Sequence, residues 1–192
     1  MGKTKKLTIL HANDFHGQIS FKIAEDYTLV GGISLLSGYI KKVRREENAV
    51  FCAICGDILQ DNIQNACSKG INTVKLLNLI MSDALSLGNH EMEYGLAHLL
   101  MFKECIRTPI LCANLLVQPL DKPLFEPSKV YDINGVKIKY GDIFYAKAHK
   151  TFQCCTAYTA YAYNTYFFAG NLFKGAFAHN HFCSLGKIHI YL

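Results

Sequence analysis

The sequence predicts an α/β fold in which a largely parallel sheet carries flanking helices. Short apolar runs at residues 7–11, 49–54, 84–87 and 110–113 have the length and composition of buried strands. The segments between them repeat apolar residues at helical spacing. Because strands and helices alternate, right-handed crossovers and a sheet covered on both faces are expected.

The helix behind Gly31-Gly32 has the clearest pattern, with basic residues at 41, 42, 44 and 45 on its solvent side. Its apolar positions follow the helical period: Ile33, Leu36, Ile40 and Val43. A second helix is predicted from Val74, Leu77 and Met81, and a third over residues 95–105. Near the end of this pattern, Asn134-Gly135 between two apolar runs predicts a hairpin with a type I′ turn.

The chain changes character at residue 143. Residues 143–192 contain no Asp or Glu but hold 13 of the chain's 23 Phe and Tyr. We therefore predict a domain at residues 1–142 and an atypical, aromatic-rich tail at 143–192. Our hypothesis is that the tail has left its ancestral reading frame, which the coding DNA can test. A membrane-surface or aggregation-prone segment is the alternative.

Bulk properties limit the partners and the location. The net charge of +5 arises in the tail without Lys or Arg clusters, so binding to a nucleic-acid polymer is not expected. There is no apolar run of the roughly 18 residues that a membrane span needs, and no signal peptide is evident. We expect a cytoplasmic protein that does not enter the membrane; the oligomeric state is left open.

Cys52 and Cys55 have the spacing of a redox pair. However, they lie along a predicted strand rather than at a helix start, where a thiolate would be stabilised. We interpret them as buried strand residues and keep a thiol redox protein as a third hypothesis.

Three polar loops each follow a predicted strand. The first carries Asp14 and His16, the second Asp57, and the third Asn89 and His90. In open α/β sheets this edge binds ligands, and carboxylate, amide oxygen and imidazole groups suit divalent metals. Their order along the chain predicts a two-metal hydrolytic site.

The residues after Asn89 suggest acid–base chemistry. His90, beside a metal ligand, is placed to protonate a leaving oxygen. Either Glu91 or Glu93 could orient its imidazole and favour the charged form. The residues alone leave that choice open.

These motifs carry a family resemblance. Residues 8–17 (T-I-L-H-A-N-D-F-H-G), 56–57 (G-D) and 87–91 (L-G-N-H-E) resemble the calcineurin-like metallophosphoesterases. Within them, the chain is most similar to the 5′-nucleotidase and 2′,3′-cyclic-nucleotide phosphodiesterase family over about residues 7–139. The resemblance implies a metallophosphoesterase-like sheet core, incomplete here.

The resemblance also implies a role for each matching residue. Asp14 and His16 would bind a first ion, Asp57 would bridge to a second, and Asn89 would bind the second. His90 would stabilise the transition state or protonate the leaving group, and the ions would be Mn, Zn or Fe. Glu93 stands where the family usually has Asp as the partner of the catalytic histidine.

The tail departs from the family's pattern. The family completes its site with a later histidine and a G-H-x-H motif, and continues into a nucleotide-binding domain. Here His179 and His181 keep the H-x-H spacing behind Ala178, and His149 lies upstream. Whether these three histidines are ligands is left open.

The function predicted is metal-dependent hydrolysis of a small phosphate ester, in particular a nucleotide, by water activated between two ions. The rival is a truncated, catalytically inactive fragment that binds metal weakly. The two differ in whether the tail completes the site.

Overall fold

The computed structural model describes residues 4–59, 67–141, 161–162 and 184–191. The strands are β1 (Lys6–Asn13), β2 (Lys22–Ile23), β3 (Leu29–Val30), β4 (Val50–Cys55), β5 (Ala84–Ser86), β6 (Leu116–Val117), β7 (Lys122–Pro123), β8 (Ser128–Ile133), β9 (Val136–Gly141), β10 (Tyr161–Ala162) and β11 (Ser184–Tyr191). The helices are α1 (Ile33–Glu46), α2 (Ile71–Leu77) and α3 (Gly95–Cys105), with a 3₁₀ turn at His90–Met92. No described helix is long and apolar enough to span a bilayer.

The central sheet has the order β11-β1-β4-β5. β1, β4 and β5 are parallel, which confirms the α/β prediction, and β11 pairs with β1 in the antiparallel sense. The strand predicted at residues 110–113 is reduced to two isolated bridges, Leu85 with Ile110 and Leu111 with Glu126. That segment changes partner after a single residue, so a continuous ladder does not form.

The three helices within the described residues pack on one face of this sheet. The α1 residues predicted to be apolar are buried against Leu10 and Ile54. α2 ends at Leu77, so Met81, predicted to continue its face, is 65% exposed. Ile80 is buried instead (1% exposed), because the chain turns after the helix.

Among the residues that the structure describes, a hairpin covers the opposite face. β8 and β9 place Tyr131, Ile138 and Tyr140 against the sheet, and the Phe51 ring lies 4.9 Å from that of Tyr131. The strand order explains why the helices share one side. The chain moves from β1 to β4 to β5 in one direction, so right-handed crossovers all fall on the same face.

The β8–β9 turn has the conformation that the sequence predicts. Asn134 and Gly135 have φ values of 54° and 75°, as a type I′ turn requires. The Asp132 carboxylate accepts a hydrogen bond of 2.8 Å from the Gly135 amide. This turn sets the register of the hairpin that covers the sheet.

Strand β11 is a finding that the sequence analysis did not predict. It pairs with β1 over eight residues, and the Thr8 hydroxyl lies 3.0 Å from Nδ1 of His189. Lys187 on β11 and Lys6 on β1 both contact the Glu47 carboxylate. An alternation of polar Lys187 and His189 with Ile188 and Ile190 was the available signal. The division of the chain at residue 142 stays a prediction.

Candidate metal centre

The three polar loops meet at one edge of the central sheet. They follow β1, β4 and β5, which are parallel neighbours, so their carboxyl ends point the same way. The Asp14 amide donates to the Gly56 carbonyl (3.2 Å) and the His16 amide to the Asp57 carbonyl (3.0 Å). The first two loops are therefore held together through their backbones.

The backbone of these loops is strained at the polar positions. Asp14, His16 and Asp57 have φ values of 56°, 46° and 50°, in the left-handed region that side chains other than glycine rarely adopt. Such conformations cost about 1–3 kcal/mol each and cluster at functional sites. Here they occur at three of the four residues predicted to bind metal.

Two glycines allow the second and third loops to touch. A Cβ on Gly56, whose φ is +75°, would lie 2.5 Å from the Gly88 nitrogen. A Cβ on Gly88 would collide with the backbone and carboxylate of Asp57. Backbone packs directly on backbone at this point, which brings Asp57 next to the residues that follow Gly88.

Side chains from all three loops converge. His16, Asp57 and His90 each offer a ligand atom, and these atoms all lie within 4.8 Å of one another. The His16 and His90 ring centroids are 4.7 Å apart, and Oδ1 of Asp14 is 3.6 Å from Nε2 of His16. Asn89, which directly precedes His90 in the chain, is exposed.

The electrostatics are those of a site that favours a cation. Burial raises the pKa of the Asp57 carboxyl, against the hydrogen bond that it accepts from the His90 amide. Burial also acts to raise the pKa of Asp14, but His16 and the Asn13 amide outweigh it and lower that pKa. The Asp14 carboxylate raises the pKa of His16. The carboxylates of Asp14 and Asp57 repel each other unless positive charge lies between them.

The donor set fits a divalent transition metal. Imidazole nitrogens and carboxylate oxygens from separate strands face one small volume, and such mixed ligands suit Mn, Fe or Zn. His16, Asp57 and His90 offer ligand atoms to this volume, and the Asp14 carboxylate lies beside His16. The structure thus brings Asp14, His16, Asp57 and His90 together, whereas the ligand role of Asn89 stays a prediction.

The structure separates the roles of the two glutamates that follow His90. Nδ1 of His90 is hydrogen-bonded to the Glu93 carboxylate, as proposed for an orienting partner. Glu91 does not orient the imidazole: its carboxylate is fully buried and accepts hydrogen bonds from backbone amides of residues 57–59 and 88. Side chains three residues apart on a 3₁₀ turn lie on the same face, so Glu93 shares a face with His90. Glu91, which directly follows His90, points to a different side.

Comparison with known proteins identifies the family. The family profile described as Calcineurin-like phosphoesterase matches residues 7–183. The chain belongs to this family. A mouse protein named 5′-nucleotidase is 34% identical over 141 residues, and Escherichia coli Protein UshA is 29% identical over 136 residues. These matches cover 68% and 71% of this chain, but only 24% and 25% of the relatives.

A solved structure confirms the calcineurin-like phosphoesterase fold. The NAD nucleotidase of Haemophilus influenzae superposes with a TM-score of 0.66 at 22% identity, covering 74% of this chain and 27% of that one. This likeness shows the fold alone. The chain spans about a quarter of the length of the curated relatives it matches.

The sequence left three further histidines open as metal ligands. They lie outside the described residues: His149, His179 and His181. Within the described part of the chain, one group of His, Cys, Asp or Glu residues has metal-ligand spacing, formed by His16, Asp57 and His90. The tail's contribution to the site therefore stays a prediction.

Cys52 and Cys55 are both strand residues, as predicted, but only Cys52 is buried and Cys55 is partly exposed. Both lie on β4, and burial raises the pKa of the Cys52 thiol to about 12. We expect iodoacetamide at pH 7.5 to alkylate exposed Cys67 much faster than Cys52 in the folded protein, measured by peptide mass spectrometry. Rapid labelling of Cys52 would instead revive the redox hypothesis.

Proposed function

We propose that this chain forms the catalytic centre of a phosphoesterase that hydrolyses a nucleotide phosphate ester with two divalent ions. The observation that carries the proposal is the convergence of His16, Asp57 and His90 from three parallel strand ends. Family membership supports a metal-dependent hydrolase. The names of the similar 5′-nucleotidases support a nucleotide as substrate.

Each ligand has a separate task in this proposal. Asp14 and His16 would hold one ion, Asn89 would hold the other, and Asp57 would be shared by both. Its position next to both His16 and His90 supports the bridging role. When bound, the two ions supply Lewis-acid stabilisation of the phosphoryl group and a lowered pKa for an attacking water.

His90 donates a proton to the leaving group in this proposal. Glu93 accepts a hydrogen bond from Nδ1, so a proton on Nε2 is the one that can reach the substrate. As the phosphorus–oxygen bond breaks, that proton passes to the departing ester oxygen and leaves a neutral alcohol. The Glu93 carboxylate holds the imidazole in the orientation that this transfer requires.

Glu93→Gln is expected to lower kcat by about 10- to 100-fold at saturating Mn²⁺ while leaving Mn²⁺ affinity unchanged. The Gln side chain no longer offers a carboxylate to orient the His90 imidazole, whereas residue 93 is not among the proposed metal ligands. Glu46→Gln, the same change on the exposed face of α1, is the control and should retain full kcat. A Glu93→Gln enzyme with normal kcat would remove Glu93 from the mechanism.

A substrate panel tests the nucleotide assignment. Metal-depleted protein is resupplied with Mn²⁺ and given AMP, glycerol phosphate and an aryl phosphate, and phosphate release is measured. The proposal predicts the highest kcat/KM for AMP. Equal kcat/KM for AMP and glycerol phosphate would keep the hydrolase and remove the nucleotide preference.

The rival function, an inactive fragment with weak metal binding, predicts a different result. In that case folded protein would release no phosphate from any of these esters at millimolar Mn²⁺. The chain's match to about a quarter of its relatives' length is the observation that favours it.

A further inference from the structure

Glu91 is a buried carboxylate with an unusual set of partners. Its side chain is fully buried, and each of its oxygens accepts two backbone hydrogen bonds. Oε1 accepts from the amides of Ile58 (2.7 Å) and Leu59 (3.0 Å). Oε2 accepts from the amides of Asp57 (3.0 Å) and Gly88 (2.6 Å).

This pattern fits a carboxylate and no other side chain. A carboxylate has two equivalent oxygens with about four acceptor positions, whereas an amide of the same shape has one oxygen and an NH₂ group that donates. In Gln, the NH₂ would face two backbone N–H donors. Charge-assisted hydrogen bonds of this kind offset the cost of burying the anion.

The four donors belong to two different metal-binding loops. Those of residues 57–59 follow β4, and that of Gly88 follows β5. Oε2 alone joins the amide of Asp57 to the amide that precedes Asn89. In addition, the His90 amide donates a hydrogen bond of 3.1 Å to Oδ1 of Asp57, which joins the same two loops directly.

We propose that Glu91 is a positioning residue that fixes Asp57 and Asn89 relative to each other before metal binds. The proposal rests on the metal site described above. A preset site binds ions more tightly because the loops lose no further freedom on binding. Glu91 therefore acts on metal affinity through the backbone, without touching the ion.

A merely structural carboxylate would behave differently, and the chain offers one as a control. Asp83, at the other end of β5, accepts hydrogen bonds from the Cys52 amide (2.7 Å) and Arg44 (2.8 Å). Asp83→Asn and Glu91→Gln each exchange a partly or fully buried carboxylate for its amide. Only the second lies at the metal loops.

The test measures Mn²⁺ affinity by calorimetry for both variants, at a temperature where circular dichroism shows them folded. We expect Glu91→Gln to weaken Mn²⁺ binding by about 10- to 100-fold, and Asp83→Asn to change it less than about twofold while lowering Tm. Unchanged affinity in Glu91→Gln, or equal weakening in both, would overturn the proposal. Absence of Mn²⁺ binding by the unsubstituted protein would instead refute the metal site itself.

A second measurement avoids the risk that Glu91→Gln does not fold. In the metal-free, unsubstituted protein, hydrogen exchange of the amides of residues 57, 58, 59 and 88 is followed by NMR. We expect slow exchange at all four, because Glu91 holds them without metal. Exchange at these four amides as fast as in an unstructured peptide would show that the loops are not preset, and the proposal would fail.

Discussion

Asp57→Asn is expected to weaken Mn²⁺ binding by at least about 100-fold and to remove detectable phosphate release from AMP. This loss should exceed the 10- to 100-fold effect typical of residues that contact a metal ligand but not the metal itself. An oxygen of the Asp57 carboxylate lies within 4.8 Å of a ring nitrogen of His16 and of a ring nitrogen of His90. Asn keeps the shape but removes the charge that holds a bridging ion. Isothermal titration with Mn²⁺ and a phosphate-release assay measure the two effects.

The control for Asp57→Asn is the same change at Asp26. That exposed carboxylate accepts hydrogen bonds from the backbone amide and the hydroxyl of Thr28 in the β2–β3 turn, outside the three metal-site loops. Asp26→Asn should leave Mn²⁺ affinity and phosphate release unchanged. If Asp57→Asn behaved like Asp26→Asn, the bridging role would be wrong.

Gly56→Ala is expected to destabilise the protein by about 3 kcal/mol or more, from a left-handed φ and a backbone clash together. The new Cβ would lie 2.5 Å from the Gly88 nitrogen, whose N–H donates a hydrogen bond of 2.6 Å to Glu91, so a shift of this loop would disturb that bond. Urea denaturation gives the free energy of unfolding, and Mn²⁺ titration of the folded fraction should show reduced affinity.

Gly38→Ala is the matched control for this glycine. Gly38 lies inside α1, and an added Cβ meets nothing within 4 Å. Alanine should therefore raise the free energy of unfolding by about 0.5–1 kcal/mol through its helix propensity. Equal stability of Gly56→Ala and the unsubstituted protein would mean that the two loops do not pack as described.

Much of the fold could be predicted because local and global signals agree. α3 has the predicted bounds, 95–105, and the β8–β9 turn has the predicted positive φ values. The site could be predicted from the sequence for a related reason. Asp14, Asp57 and His90 each follow a parallel strand, and parallel strands end at a common edge.

Other features depend on packing that the sequence does not display. Strand order decides which face a helix covers, so the hairpin on the second face could not be read from periodicity. A chain turn, not the helical pattern, exposes Met81. Residue type leaves both Glu91 and Glu93 open as partners of His90, and the family resemblance favours Glu93. Only the structure shows that Glu91 instead accepts hydrogen bonds from backbone amides.

The most direct test of the central claim is Mn²⁺-dependent phosphate release from AMP by metal-depleted protein, followed as Mn²⁺ is added. If the loops of Asp14, Asp57 and His90 form a metal-dependent hydrolytic centre, release rises with Mn²⁺, saturates, and stops when EDTA is added. Folded protein that binds Mn²⁺ but releases no phosphate, or releases it equally well in EDTA, would contradict the account.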